Sequence, residues 1–454
     1  MIARRAALRL VALAVIATVA SAAAPAVLAV DVTFGAPTST AKWGDEVAFV
    51  QPARLGGGAK RVEVLLEFPG GLGPQVVETP PPSGTGAVTL RYSLLLADGH
   101  LLPNTTITAR WRVTGEDGSI AVGPPTTVEY EDTRFDWRTR AGATVRVHWY
   151  EGSDAFGERA LRIGETAIRE TSELLGVTEE EPIAFFVYAN QDEFYAALGP
   201  GTRENVGGQA NADLRTLYAL ITPAEIDDPW VENVVPHELV HLVFNTAVDN
   251  PYHFPPRWLN EGLAVSLSQG YDVGDRLAVE GAARDGTLIP LNGLAGQFPT
   301  TRERFFLAYA ESVSAVDYLI RTHDRDTLVA LIRSYSAGKT DDEAFQAAIG
   351  MDVDAFDAAW RAELNAKEPT VHGPQPAPAG PVPPGWTDAE GSPAPTLSPG
   401  APSGGPATTP EPGSPGPGAS ERPVEALLAG IAFVALAALA VILISGRRRR
   451  PRVG

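Results

Sequence analysis

The stretch VVPHELVHLVF, residues 234–244, places two of the chain's 7 histidines four positions apart, with a glutamate directly after the first. Residues at i and i+4 share one face of a helix, so His237 and His241 would point into the same space. Zn²⁺ prefers nitrogen ligands in tetrahedral geometry, and these imidazoles would fill two of its corners. Glu238 would then lie within reach of a water on the metal. The pattern is HExxH, and the alternative is a pair of buried structural histidines.

A metal site of this kind needs a third protein ligand, and the stretch PPRWLNEGLAV, residues 255–265, offers Glu261. This carboxylate lies near the start of a predicted helix among apolar neighbours, where it is costly unless paired or bound to metal. The chain has no cysteine, which excludes disulfides, thiolate catalysis and cysteine metal sites. The sequence therefore predicts one Zn²⁺ per chain, held by histidine and glutamate.

The elements that must position these residues follow a region of short strands. From Asp31 to about Tyr150 the chain is rich in β-branched and aromatic residues and is divided by Gly, Pro and Asp-Gly turns. This is typical of an all-β sandwich of the immunoglobulin or fibronectin type, predicted over residues 30–136. The strand TVRVHWY, residues 144–150, is assigned to the following domain because a helical pattern comes directly after it.

Residues 137–367 change in character from strands to helices. A helical segment, a buried strand, a short helix and two more strands come first, and only helical patterns follow. This order predicts an α+β domain. The expected helices cover 230–247, 257–269, 302–322, 324–336, 341–349 and 352–367.

Both ends of the chain carry membrane-targeting patterns. Residues 1–29 have the order of a secretory signal: arginines, an apolar run and small residues. Residues 424–444 form an apolar run long enough to span a bilayer, and the arginine-rich tail 445–454 should stay in the cytoplasm. The Pro/Gly/Ser-rich segment 368–423 cannot bury a core and is interpreted as a stalk. The prediction is a single-pass cell-membrane protein with an extracellular ectodomain.

The charge of the chain excludes some partners. Of its 36 basic residues, three lie in residues 1–29 and five in 445–454, so the remainder carries 28 against 55 acidic residues, a net charge of −27. A nucleic-acid binder would show the opposite sign. We therefore expect no nucleic-acid partner, and contact with a membrane only through the C-terminal helix.

HELVH followed by WLNEGLAV resembles the gluzincin zinc metallopeptidases, the thermolysin and membrane-alanyl-aminopeptidase group. Residues 137–367 are similar to the bacterial peptidase MA-like domain of that clan. The resemblance implies a thermolysin-like fold, His237, His241 and Glu261 as zinc ligands, and Glu238 as general base. Nineteen residues separate His241 from Glu261, one more than in the best-known gluzincins, and a loop absorbs such a difference easily.

Two further features come from the same resemblance. Tyr309 stands where the aminopeptidases carry a tyrosine that stabilises the transition state, and a phenol there would donate to the oxyanion. The alternative is a tyrosine packed in the core. Residues 206–211, VGGQAN, match the position of an edge strand that binds the substrate backbone, and a plain turn is the alternative.

These observations predict an extracytoplasmic zinc metallopeptidase, anchored in the membrane, that hydrolyses peptide bonds through a zinc-activated water. A non-catalytic surface protein that uses a peptidase-like domain for binding is the alternative. A zinc hydrolase acting on a non-peptide substrate has the same ligands. The substrate, the choice between endo- and exopeptidase action and the role of the β-sandwich do not follow from the sequence.

Overall fold

The computed structural model describes residues 31–96, 100–199, 207–250 and 253–368, which divide into two compact units between Arg134 and Phe135. The predicted signal segment, the stalk after Glu368, the transmembrane segment and the basic tail lie outside the described residues. Within the described ranges, no helix combines the length and the apolar character that crossing a membrane requires.

The first unit is built from two antiparallel sheets. In one, β3 (Glu46–Leu55) pairs with β1 (Val32–Phe34), β2 (Thr38–Lys42) and β6 (Gly86–Leu95). In the other, β7 (Thr105–Gly115) pairs with β4 (Ala59–Glu67), β8 (Ile120–Val122) and β9 (Thr126–Tyr130), and β5 (Gln75–Thr79) pairs with β4. Alternating side chains from both sheets form one hydrophobic cluster that includes Val47, Phe49, Val64 and Trp111. The N-terminal region is therefore β-rich, as predicted.

The second unit contains a mixed five-stranded sheet. Its order is β10 (Arg138–Ala141), β11 (Val145–Trp149), β12 (Ile183–Tyr188), β14 (Thr216–Leu220) and β13 (Gly208–Asn211). The three central strands are parallel, and β10 and β13 are antiparallel to their neighbours. The strand TVRVHWY contains β11 and thus belongs to this sheet.

Two helices lie between strands of this sheet and the other helices follow it in sequence, which confirms the predicted α+β fold of this unit. The helices are α1 (Asp154–Leu175), α2 (Gln191–Leu198), α3 (Val231–Val248), α4 (Arg257–Ser268), α5 (Val273–Asp285), α6 (Arg302–His323), α7 (Arg325–Ser334), α8 (Asp341–Ile349) and α9 (Val353–Glu363). A short 3-10 helix (Leu291–Leu294) precedes α6, and another (Tyr335–Ala337) follows α7. The sequence analysis did not predict α5.

Helices α3, α4 and α6 form the part of the core on which the candidate site lies. Helix α3 contacts β13, β14 and α4, and α4 in turn contacts α6. A Cβ on Gly262 of α4 would overlap the carbonyl oxygen of Ser312 in α6 and lie 2.8 Å from Cγ2 of Val316. Glycine is therefore the residue that allows α4 and α6 to approach this closely.

Helix α3 continues through a proline. It begins at Val231, five residues before Pro236, so the proline lies inside the helix and does not mark its start. Proline has no N–H, which leaves the carbonyl of Glu232 without its intrahelical donor. Buried side chains on both sides of Pro236, among them Val235 and Leu239, attach this part of the helix to the core.

Candidate metal centre

The two motif histidines lie on the same face of α3, as their spacing predicts. The ring centroids of His237 and His241 are 4.9 Å apart, and the ring planes are nearly perpendicular at 87°. Their neighbours Leu239, Val240 and Leu242 are buried. The apolar residues of the HELVH stretch therefore anchor the helix, while both imidazoles remain free to face the same space.

Helix α4 brings Glu261 to these histidines. Oε2 of Glu261 lies 3.4 Å from Nε2 of His237 and 3.5 Å from Nε2 of His241. All three ligand atoms lie within 4.8 Å of one another. Ligands about 2.0–2.1 Å from a tetrahedral Zn²⁺ are separated by about 3.3–3.4 Å. The three side chains thus fit a zinc ion in both spacing and donor type.

The surroundings of Glu261 also fit a cation. Its side chain is only 8% exposed, and its buried Oε2 has no hydrogen-bond partner. A buried carboxylate oxygen without a partner is costly, and a metal ion between it and the imidazoles would satisfy it. Burial opposes ionisation, but the contacts with His237 and His241 outweigh it, so the pKa of Glu261 lies well below its ordinary value. Glu261 is therefore ionised at neutral pH.

The pKa of His241 also depends on the carboxylate of Glu261. Burial by itself lowers the pKa of His241, but the contact with Glu261 and its negative charge raise that pKa to about 9. The charge of Glu238 and the Nδ1 contact with Oδ1 of Asn260, at 3.0 Å, act in the same direction. If Nδ1 donates to Asn260, Nε2 is the nitrogen left to bind a metal.

Sequence reasoning missed two residues that support the ligands, Asn260 and Arg257, and both lie on α4 beside Glu261. Nε and Nη2 of Arg257 donate to Oε1 of Glu261, at 3.0 and 2.9 Å. The spacing of Arg257 and Glu261 was a readable i, i+4 ion pair. The contact of Asn260 with His241 has no such signal, because it depends on how α3 and α4 pack.

Glu238 lies between the candidate metal ligands and the edge strand β13. Its Oε2 accepts a hydrogen bond of 2.9 Å from the backbone N–H of Ala210. A Cβ on Gly208 would lie 3.0 Å from Cγ of Glu238 and 3.2 Å from Cγ1 of Val234, which is tighter than side chains normally pack. The glycine therefore lets β13 run close to α3, and residues 208–211 form a strand and not the alternative turn.

Tyr309 of α6 borders the same space. Its ring centroid lies 6.2 Å from that of His237. Phe298 and Phe305 pack edge-on against it at 5.2 and 5.1 Å. Burial, and then the negative charge of Glu261, raise the pKa of the Tyr309 phenol. Tyr309 is thus both packed against aromatic neighbours and placed beside His237, one of the candidate metal ligands.

His253, in the segment between the ligand helices, lies outside this group. Its Nε2 is 2.9 Å from Oδ1 of Asp341, the first residue of α8. Asn250 donates from Nδ2 to the carbonyl of Tyr335 at 2.8 Å. These contacts attach the segment between α3 and α4 to other elements and give His253 a structural role.

The segment that contains the candidate site is similar to known proteins. Residues 164–366, which contain every candidate ligand, match the Peptidase MA superfamily. No curated protein matches the chain. Similar solved structures include an M1 zinc metallopeptidase from Deinococcus radiodurans, with 15% identity, a TM-score of 0.34 and coverage of 74% of this chain and 93% of that one.

An aminopeptidase N family protein from Idiomarina loihiensis is also similar, with 11% identity, a TM-score of 0.38 and coverage of 75% of this chain and 77% of that one. The superfamily match covers the segment that contains the His237, His241 and Glu261 cluster. Residues 164–366 are therefore similar in sequence to the Peptidase MA superfamily.

Proposed function

We propose that this chain is a zinc-dependent peptidase that hydrolyses peptide bonds outside the cytoplasm while anchored in the cell membrane. The observation that carries the proposal is the convergence of His237, His241 and Glu261 within 4.8 Å, with Glu238 on the same helix as the histidines. A site that only bound metal would need the three ligands but not a fourth, unliganded carboxylate beside them.

Zinc, when bound by these residues, would supply a Lewis acid that activates water and polarises a carbonyl. Glu238 is placed to take the proton of the attacking water and to pass it to the leaving amine. Its hydrogen bond from Ala210 holds the carboxylate towards β13. The roles of ligand and base are thus divided between neighbouring residues of one helix.

Tyr309 would act as a hydrogen-bond donor to the developing oxyanion. Because burial and Glu261 raise its pKa, the phenol keeps its proton throughout the neutral and mildly alkaline range. A donor already in place before the reaction needs no reorganisation when the charge develops. The edge-on packing of Phe298 and Phe305 fixes the direction of the ring.

The edge strand β13 would bind the substrate backbone in extended form. The carbonyl of Gly207 accepts from Leu220 of β14, and alternation in an antiparallel pair turns the polar groups of Gly208 and Ala210 the other way. The N–H of Ala210 donates its hydrogen bond to Glu238. The remaining outward groups can pair with a peptide strand, which would place a peptide bond beside the base.

The experiment that tests the proposal measures zinc content and hydrolysis on the purified full-length protein. We expect about one zinc per chain, lost in His237→Ala and His241→Ala, and hydrolysis of an unstructured protein that stops with a chelator and returns with zinc. Glu238→Gln should keep the zinc and lower kcat by at least about 100-fold. A zinc-loaded parent without hydrolytic activity would instead favour the non-catalytic binding protein.

The proposed location is supported by residues 1–29 and 424–454 of the sequence alone. External protease added to intact cells should degrade residues 31–423 and leave the arginine-rich tail protected. Digestion of the tail under the same conditions would contradict the proposed topology.

A further inference from the structure

We propose that Arg257 is a positioning residue that decides which oxygen of Glu261 faces the metal. It would bind Oε1 and leave Oε2 for the ion shared with His237 and His241. This inference rests on the proposed metal site. It assigns a role to a residue outside the ligand set.

The contacts of Glu261 differ sharply between its two oxygens. Oε1 accepts two hydrogen bonds from Arg257, at 3.0 Å from Nε and 2.9 Å from Nη2. Oε2 accepts none and lies 3.4 and 3.5 Å from the Nε2 atoms of His237 and His241. A carboxylate with both oxygens free can turn about its terminal bond, because that torsion is broad. Two donors on one oxygen restrict this rotation.

Arg257 is itself held from several directions. Its backbone N–H donates to the carbonyl of Ala295 at 2.8 Å, and its Nη1 donates to Oε1 of Gln297 at 3.3 Å. The guanidinium carbon lies 4.7 Å from the ring centroid of Phe298. A planar guanidinium presents its donors in a rigid fork, so a fixed Arg257 gives Glu261 a fixed orientation.

The charge of Arg257 acts against metal binding, so charge and positioning predict opposite changes in zinc affinity when Arg257 is replaced. A guanidinium beside a dication is repelled by it, so charge alone predicts that removing Arg257 tightens zinc binding. Positioning predicts the opposite, because loss of an orienting partner around a metal site typically weakens affinity by about 10- to 100-fold. The measured direction therefore separates the two effects.

The experiment compares zinc affinity in the full-length parent, Arg257→Met and Arg257→Lys by competition with a chromophoric chelator. Methionine removes both charge and donors, and lysine keeps the charge but loses the fork. We expect both variants to bind zinc about 10- to 100-fold more weakly than the parent. The positioning role of Arg257 would be refuted if Arg257→Lys bound zinc with the parental affinity. It would also be refuted if Arg257→Met bound zinc as tightly as the parent or more tightly. Should Arg257→Met fail to fold, the lysine variant decides alone.

Two controls separate positioning from a general effect on the helix. Arg321→Met removes another i, i+4 arginine–carboxylate pair, the one with Asp317 on α6, and should bind zinc like the parent. Visible absorption of the Co²⁺-loaded protein should change in the Arg257 variants and not in Arg321→Met, since it reports the arrangement of ligands around the ion. Unchanged spectra in the Arg257 variants would show that Arg257 stabilises the helix without orienting Glu261 towards the ion. A parent without metal affinity would refute the metal site itself.

Discussion

The backbone N–H of Ala210 donates a 2.9 Å hydrogen bond to Oε2 of Glu238, which joins the edge strand β13 to the proposed general base. The bond leaves the strand on the side away from β14, so it can be removed without breaking the β13–β14 pairing.

We expect Ala210→Pro to lower kcat about 10- to 100-fold while zinc content stays at the parental level. Proline lacks the N–H and is tolerated on an edge strand when that position faces away from the neighbouring strand. A hydrogen bond to a charged group contributes about 1.5–3 kcal/mol, which corresponds to this change in rate. Ala210→Ser keeps the N–H and serves as the control. Equal kcat in the two variants would show that the contact does not matter for catalysis.

Tyr309→Phe should lower kcat and kcat/KM together, by about 100-fold, with little change in KM. The variant removes one donor to the oxyanion and preserves the packing against Phe298 and Phe305. Tyr318→Phe, on the same helix but packed against Phe356, is the matched control and should behave like the parent. If steady-state kinetics of the two variants agree, Tyr309 is a core tyrosine.

Gly262→Ala should destabilise the fold, and the change in the free energy of unfolding should be about 1–3 kcal/mol. The added methyl group has no space, because the backbone of Ser312 lies against the glycine. Gly281→Ala on α5 is the opposite case, since its Cβ would meet only Nη2 of Arg284 at 3.8 Å. That control should gain about 0.5–1 kcal/mol from helix propensity. Urea unfolding of both variants checks the contrast, and a loss of equal size in both would contradict the packing argument.

The stability of the protein should fall as the pH drops from about 6.5 towards 4, in part because of His148. Burial, helped by the charge of Arg146, lowers the pKa of His148 from its ordinary value of 6.5 to about 4. Between these values the unfolded chain binds a proton that the folded chain does not, so acid favours unfolding. Stability is unaffected by this group above pH 6.5. Urea unfolding at pH 7.5 and pH 5 should show a smaller acid loss in His148→Gln, and equal losses would exclude this role for His148.

The helical spacing of apolar residues indicated α4, whereas α3 is apolar on nearly all sides and was indicated by the i, i+4 spacing of its histidines. Helix α5 was missed because its exposed face carries apolar residues, Val273 and Leu277, at 71% and 64% exposure, which blurs the amphipathic pattern. Within the predicted β-sandwich, strand β3 has a weaker sequence signal. Its fully buried Gln51 and its Pro52 interrupt the alternation that marks a strand.

The candidate ligands could be predicted from residue types and spacing, since HExxH and a later glutamate indicate a metal site without any knowledge of how the helices pack. The supporting contacts could not. Ala210 contributes a backbone N–H, which every residue except proline carries, so its type holds no signal. Asn260 meets His241 only because α3 and α4 pack side by side.

Within the five residues 257–261, helix α4 carries the candidate ligand Glu261 and Arg257, which contacts it. The same segment carries Asn260, which contacts the candidate ligand His241. One inserted residue inside this segment would turn Arg257 by about 100° relative to Glu261. One inserted residue before it would lengthen a loop at little cost. Evolutionary change in the distance between the histidines and the glutamate should therefore be confined to the segment before Arg257, where the extra residue relative to well-known gluzincins can be accommodated. The segment 257–261 would be inherited at constant length.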